Sequence, residues 1–131
     1  MFLTWSDEYS TGDNEIDKQH KQLFQYLADL EDHIKSGASD AYMKRFLDNL
    51  GLYTRSHFCY EEICMRQNKC PIADKNKEQH AKLLDAYTYF RERFEIEGVS
   101  EDLLQKLHGF LLSWLTNHIL KIDTNLKACI K

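Results

Sequence analysis

The sequence predicts an all-α fold, an up-down-up-down antiparallel four-helix bundle preceded by an N-terminal arm. Three observations carry that prediction. One proline and five glycines in 131 residues leave too little turn chemistry for a many-stranded sheet. Four stretches repeat apolar residues at alternating spacings of three and four, which keeps one edge of a helix facing its neighbours. The breaks between them are short, so consecutive helices of roughly 30 Å must lie antiparallel. The length suits one domain with one core, residues 1–131.

The arm, MFLTWSDEYSTG, carries Trp5, which is placed to pack over one end of the bundle. The first helix is expected from about Ile16 to Ile34, with an inner row of His20, Leu23, Leu27, Leu30 and Ile34, and Gly37 stops it just past its last turn. Ser39 and Asp40 offer an N-cap for a second helix running to about Met65, with Phe46, Leu50, Tyr53, His57 and then Tyr60 or Glu61 facing inward. The stretch RQNKCPIAD breaks the chain, because proline disfavours a helical residue before it. Asp74 can cap a third helix to about Phe94, with Asn76, His80, Leu83, Tyr87, Phe90 and Phe94 in its row and Gly98 at its end. Ser100, followed by Glu101 and Asp102, starts a fourth helix whose row is Leu104, Leu107, Leu111, Trp114 and His118.

Composition excludes several classes of function. Seventeen basic residues are spread among twenty-one acidic ones, for a net charge of −4, so no basic stripe is available to track nucleic acid. The N-terminus meets acidic residues too early for a signal or transit peptide, and no apolar run could span a bilayer, which points to the cytoplasm. There Cys59, Cys64, Cys70 and Cys129 are expected as thiols, small half-buried side chains, since no CxxC pair suggests a disulfide framework or a thiolate zinc site.

Every inner row contains a histidine. His20 and His80 lie near the starts of their helices, His57 and His118 near the ends, and in an up-down bundle those positions share one level. One buried histidine is ordinarily a hydrogen-bonded core residue. Four converging with carboxylates would cost a few kcal/mol each without a common partner, and a metal cluster supplies one. His57 and Glu61 point within roughly 40° of each other, whereas Glu62 is turned a further 100° or so, towards solvent or the back of a ligand. Asp123, five residues after His118, can join only if the helix end tightens or bulges. Mixed imidazole and carboxylate donors point to iron, then zinc or manganese, and the lack of cysteine donors removes an iron–sulfur cluster. His33 and His108, the latter about 15 Å along the helix from His118, are expected at the surface or boundary.

These residues resemble a family. WSDEYSTG at 5–12, EIDKQH ending at His20, HFCYEE from His57, EQH ending at His80 and WLTNHILKID from Trp114 to Asp123 are similar, in order and over nearly the whole chain, to the hemerythrin family, specifically its bacterial branch. The resemblance implies two non-haem iron ions bridged by Glu61, Asp123 and an oxo or hydroxo group, with dioxygen as reversible ligand and small anions such as azide as further ligands. It places His20 and His57 on one iron and His80 and His118 on the other. That second iron normally has a third histidine one turn before EQH. Here the position is Asn76, and the expectation is a water in the gap with Asn76 hydrogen-bonded to it, rather than the asparagine oxygen itself. Phe24, Tyr53, Leu84, Trp114 and Leu115, each within about one turn of a ligand position, are expected to wall an oxygen pocket.

A missing ligand that promotes oxidation suits a sensor better than a carrier. The leading expectation is therefore an oxygen- or redox-sensing input domain, without enzymatic activity of its own, of the kind fused in bacteria to diguanylate cyclases and chemotaxis receptors. Helical spacing at Ile119, Ile122, Leu126 and Cys129 or Ile130 could lead into such an output domain, the chain then being the N-terminal part of a longer signalling protein. The alternative is a stand-alone oxygen carrier or store. A ferritin-like oxidase is disfavoured because no Glu-x-x-His motif occurs.

Overall fold

The computed structural model describes residues 5–130. A 3-10 turn at Asp7–Tyr9 precedes α1 (Asn14–Ser36), α2 (Asp40–Gln67), α3 (Ala73–Glu97) and α4 (Glu101–Lys121), and a second 3-10 turn covers Asp123–Ala128. Among the described residues there is no strand. Each helix packs on two neighbours, α1 on α2 and α4, and α3 on the same two, which closes the ring of an antiparallel bundle.

Local chemistry sets the helix ends. The Asp13 carboxylate accepts from the Ile16 amide at 2.9 Å, Ser39 Oγ from Tyr42 at 3.2 Å and Ser100 Oγ from Leu103 at 3.1 Å, each satisfying a donor that the first turn leaves open. Gly37 closes α1 in the left-handed conformation (φ +70°), with its amide on the carbonyls of His33 and Ile34. Asp74 is not the cap of α3. The Ala73 amide donates to the Cys70 carbonyl at 3.1 Å, so the turn through Pro71 runs directly into the helix, and Asp74 falls in its first turn, beside the positive end of the dipole.

The end of the bundle away from the histidines is apolar, with Leu30, Leu47, Leu107 and Phe94 fully buried there. The inner face of α2 departs from the expected row. Met43, Leu47, Leu50, Gly51, His57, Phe58, Glu61 and Met65 are buried, whereas Phe46 and Tyr53 are half-buried and pack on Tyr26 at 5.8 and 5.5 Å between ring centroids, at the seam with α1. Tyr60 is exposed, so Glu61 is the residue that turns inward. Phe90 and Trp114 are likewise half-buried rather than central. Gly51 makes room for a ring, since a Cβ there would lie 3.1 Å from Tyr87, whose hydroxyl donates to the Leu47 carbonyl.

The expectation of four thiols is corrected. Cys70 and Cys129 are joined as a disulfide with Cα atoms 5.5 Å apart, because the turn after α4 folds back onto the α2–α3 connection. Cys59 and Cys64 are free. Among the described residues no helix is long and apolar enough to cross a membrane.

Candidate metal centre

Where α1 and α3 begin and α2 and α4 finish, His20, His57, Glu61, His80, His118 and Asp123 converge, none more than 4% exposed. The oxygens of Glu61 divide the imidazoles into two groups. Oε2 lies 3.2 Å from His20 Nε2 and 3.5 Å from His57 Nε2, while Oε1 lies 3.1 Å from His80 Nε2 and 4.0 Å from His118 Nε2. Asp123 spans the same divide, Oδ2 at 3.2 Å from His20 Nε2 and Oδ1 at 3.1 Å from His118 Nε2. It reaches the site because α4 stops at Lys121, Ile122 turns (φ −112°, ψ −60°), and the tighter 3-10 winding brings Asp123 round to the face of His118.

The outward nitrogens are held by a second layer. His57 Nδ1 lies 2.6 Å from Gln19 Oε1 and His118 Nδ1 lies 2.9 Å from Gln79 Oε1, so each Nδ1 carries the proton and Nε2 is left facing inward. Glu62 Oε2 lies 3.0 Å from His80 Nδ1, which puts it behind that ring, on the side away from Glu61. Sequence reasoning missed Gln19 and Gln79. Their signal was available: both precede a row histidine as a Gln-His pair at the start of a helix.

Electrostatics follow from this packing. Burial alone pushes His20 down, but the carboxylates of Asp123 and Glu61, each 3.2 Å from its Nε2, overcome that and hold it up at about 9. His80 rises against burial for the same reason, through Glu61 and then Glu62, while burial prevails at His57 and lowers it. Glu61, despite complete burial, sits well below the ordinary carboxylate range because His20, His57 and His80 surround it.

Both ring nitrogens of His20, both oxygens of Glu61, Asn76 Nδ2 and Asp123 Oδ1 are buried without a hydrogen-bond partner among the described residues. So many orphaned donors and acceptors at one point fit a metal pair. Two overlapping donor sets fall within 4.8 Å, one of His20, His57 and Glu61, the other of Glu61, His80, His118 and Asp123. Residues 11–130 match the hemerythrin HHE cation binding domain.

The chain belongs to the hemerythrin family.

It is 32% identical to the bacteriohemerythrin of Pseudomonas aeruginosa over 121 residues, 92% of this chain and 76% of that one. It is 30% identical to that of Methylococcus capsulatus over 129 residues, 98% and 96% of the two chains. The crystal structure of a wild-type hemerythrin superposes with a TM-score of 0.85 at 27% identity, over 98% of both chains. As a hemerythrin, the chain is a diiron, oxygen-binding domain with the mixed nitrogen and oxygen donors that suit iron.

Next to this hemerythrin centre is an apolar cavity with about 30 Å³ open to the centre of a water-sized molecule, lined in part by Leu23, Phe58, Leu84, Trp114 and Leu115. Three of the five residues expected at an oxygen pocket are therefore on it. Phe24 and Tyr53 are not: Phe24 packs on Trp5 and Tyr9 at 5.9 and 5.3 Å, under the N-terminal arm, and Tyr53 stands at the α1–α2 seam. Phe58 was missed, although it stacks on His80 at 3.7 Å with the planes 3° apart, as Trp114 stacks on His118 at 4.4 Å and 11°. His33 and His108 lie away from the site, bonded to the Tyr42 hydroxyl and the Leu27 carbonyl respectively.

Asn76 is fully buried, and its Oδ1 lies 2.8 Å from His118 Nε2, on the inward side of that ring. His80 Nε2 lies 3.2 Å from the same nitrogen. Donors at right angles around an ion roughly 2.1 Å away are spaced by about 3 Å.

Proposed function

We propose that this hemerythrin domain is an oxygen- or redox-sensing input module whose two irons are held unequally. In this reading His20 and His57 would hold one iron, His80 and His118 would hold the other, and Glu61 and Asp123, which face both groups of histidines, would serve both. Asn76 supplies its amide oxygen directly, in place of the water expected from the sequence. The observation that carries the reading is the position of Asn76 Oδ1, 2.8 Å from the inward nitrogen of His118. Iron held by these residues would supply the electrons for dioxygen binding. The chain's own residues set its selectivity: Gln19, Gln79 and Glu62 hold the imidazoles in one tautomer, and Phe58, Trp114, Leu84 and Leu115 keep the approach apolar.

A neutral amide is a weaker donor than imidazole, so the second iron is retained less firmly and is more open to small anions such as azide. Asn76 in place of an imidazole would therefore make oxygen binding less durable, a property that serves a signal better than storage. Asp123 begins the turn that leads to the C-terminal residues, so a change at the centre is passed to that end of the chain, towards an output such as a diguanylate cyclase or a chemotaxis receptor in a bacterial cytoplasm. The role assigned here is binding and response, with no catalytic residue. Iron analysis and the spectrum of the azide adduct test the centre, and a content well below two irons per chain refutes it. Repeated cycles of air and argon test the sensor. Loss of the oxygenated spectrum within a few cycles is expected, and full recovery over many cycles would instead establish a reversible carrier.

A further inference from the structure

We propose that Cys70 and Cys129 form a reversible thiol–disulfide clamp on the half of the site that holds the second metal. Cys70 lies in the α2–α3 connection, 5% exposed, and Cys129 follows the Asp123–Ala128 turn directly and is half-exposed. Around them is a cluster separate from the main core, built on Ile16, Met65, Cys70 and Leu126. Apart from Asp123 itself, Leu126 is the only buried residue of that turn; Thr124 and Asn125 tie it back to carbonyls at the end of α4, and Leu126 and the sulfur bridge anchor its far side to the rest of the chain.

The bridge closes a loop between residues 59 positions apart, and the content of that loop is informative. It contains Asn76, His80, His118 and Asp123, and it leaves out His20, His57 and Glu61. Resting on the proposed ligand assignment, the clamp therefore constrains the second metal's donors apart from Glu61 and leaves the first metal's histidines untouched. Opening it widens the range of positions available to Asp123 and to the start of α3.

The reductant is a dithiol. Its thiolate attacks Sγ of Cys129, the more exposed sulfur; the S–S bond breaks and the Cys70 sulfur leaves and takes a proton. The second sulfur of the reductant then displaces Cys129, which also takes a proton, and closes the reductant's own disulfide. Two electrons and two protons pass from the dithiol to the cysteines.

The full chain tests this in three measurements. After exposure to oxidised dithiothreitol, thiol titration of the denatured protein should find two free thiols, Cys59 and Cys64, and four after reduction; four in both cases overturns the proposal. In metal-free protein, reduction should lower hydrogen-exchange protection of the amides at 122–130 by about tenfold, and unchanged protection overturns it. In iron-loaded protein, reduced and then desalted, one iron per chain should pass to a ferrous chelator about tenfold faster than before reduction, and the other, which shares only Asp123 with the clamped loop, should be accelerated less. Equal release of both irons at the unreduced rate overturns the link to the site. Cys129→Ser should behave like the reduced protein and Cys59→Ser with Cys64→Ser like the oxidised one. Should the chain bind no iron, the proposed function fails, and the first two measurements still decide the clamp.

Discussion

Raising the pH of the metal-free protein should make it easier to unfold. The folded state holds the proton of His20 up to about pH 9, against an ordinary 6.5. A histidine whose folded value is raised contributes stability that is complete below 6.5 and is lost as pH climbs through 9. The gap between 6.5 and 9 is 2.5 pH units, which at about 1.4 kcal/mol per unit corresponds to roughly 3 to 4 kcal/mol. The group is fully buried, so solvent screening does little to reduce it. His80 is raised and acts in the same sense, whereas His57 is lowered and removes stability as pH falls below 6.5. Glu61 adds stability above the carboxylate range and loses it on acidification. The metal-free protein should thus be most stable at mildly acidic pH, on the acid side of 6.5. Urea titrations at constant ionic strength from pH 5.5 to 9.5 measure it, with a falling midpoint and an unchanged slope against denaturant expected. His20→Gln should flatten the curve. The metal-loaded protein should show the reverse trend, because protons on His20 and His80 compete with the ions. A metal-free stability that is constant or rises between pH 6.5 and 9 would refute the electrostatic account.

Three further outcomes follow from the same geometry. Asn76→His should slow autoxidation of the oxygenated protein in stopped flow, and an unchanged or faster rate would count against the role given to Asn76. Gln79→Leu removes the acceptor behind His118 and should weaken metal affinity by about 10- to 100-fold, read by competition with a chelator, with little change in helix content. Leu30→Ala at the apolar end, where the side chain is fully buried, should cost about 2–5 kcal/mol in denaturant unfolding while leaving the azide spectrum of the folded fraction intact.

What could be read in the sequence was whatever depends on local spacing. Ser39 and Ser100 cap as expected, and four histidines in helical phase pointed to one end because an up-down bundle alternates direction. Asp123 is brought beside His20 and His118 by the device its five-residue offset demanded, a tightened helix end. What could not be read depends on partners distant in the chain. Phe46 and Tyr53 kept the right period, but α2 buries a face turned towards Leu47 and Phe58, and only the presence of Tyr26 makes the seam a stable place for those rings. Gln19 and Gln79 look like ordinary surface amides until a neighbouring helix presents an imidazole. Cys70 and Cys129 meet only because the chain reverses after α4, which no local pattern announces.

The donors arrive in the same order from two hairpins. α1 and α2 bring Gln19-His20, then His57 and Glu61; α3 and α4 bring Gln79-His80, then His118 and Asp123. Each glutamine supports the last histidine of its own hairpin, and each carboxylate reaches across to the other hairpin's half. The centre is in this sense a pseudo-twofold junction of two half-sites. One residue spoils the repeat: Glu61 follows His57 by four positions and Asp123 follows His118 by five, so the first carboxylate stays on its helix and the second must leave it. The two half-sites therefore differ in mechanical support as well as in residues. The donors that α1 and α2 bring all sit on continuous helix, whereas Asp123, which faces both halves, sits on a short turn beyond the end of α4.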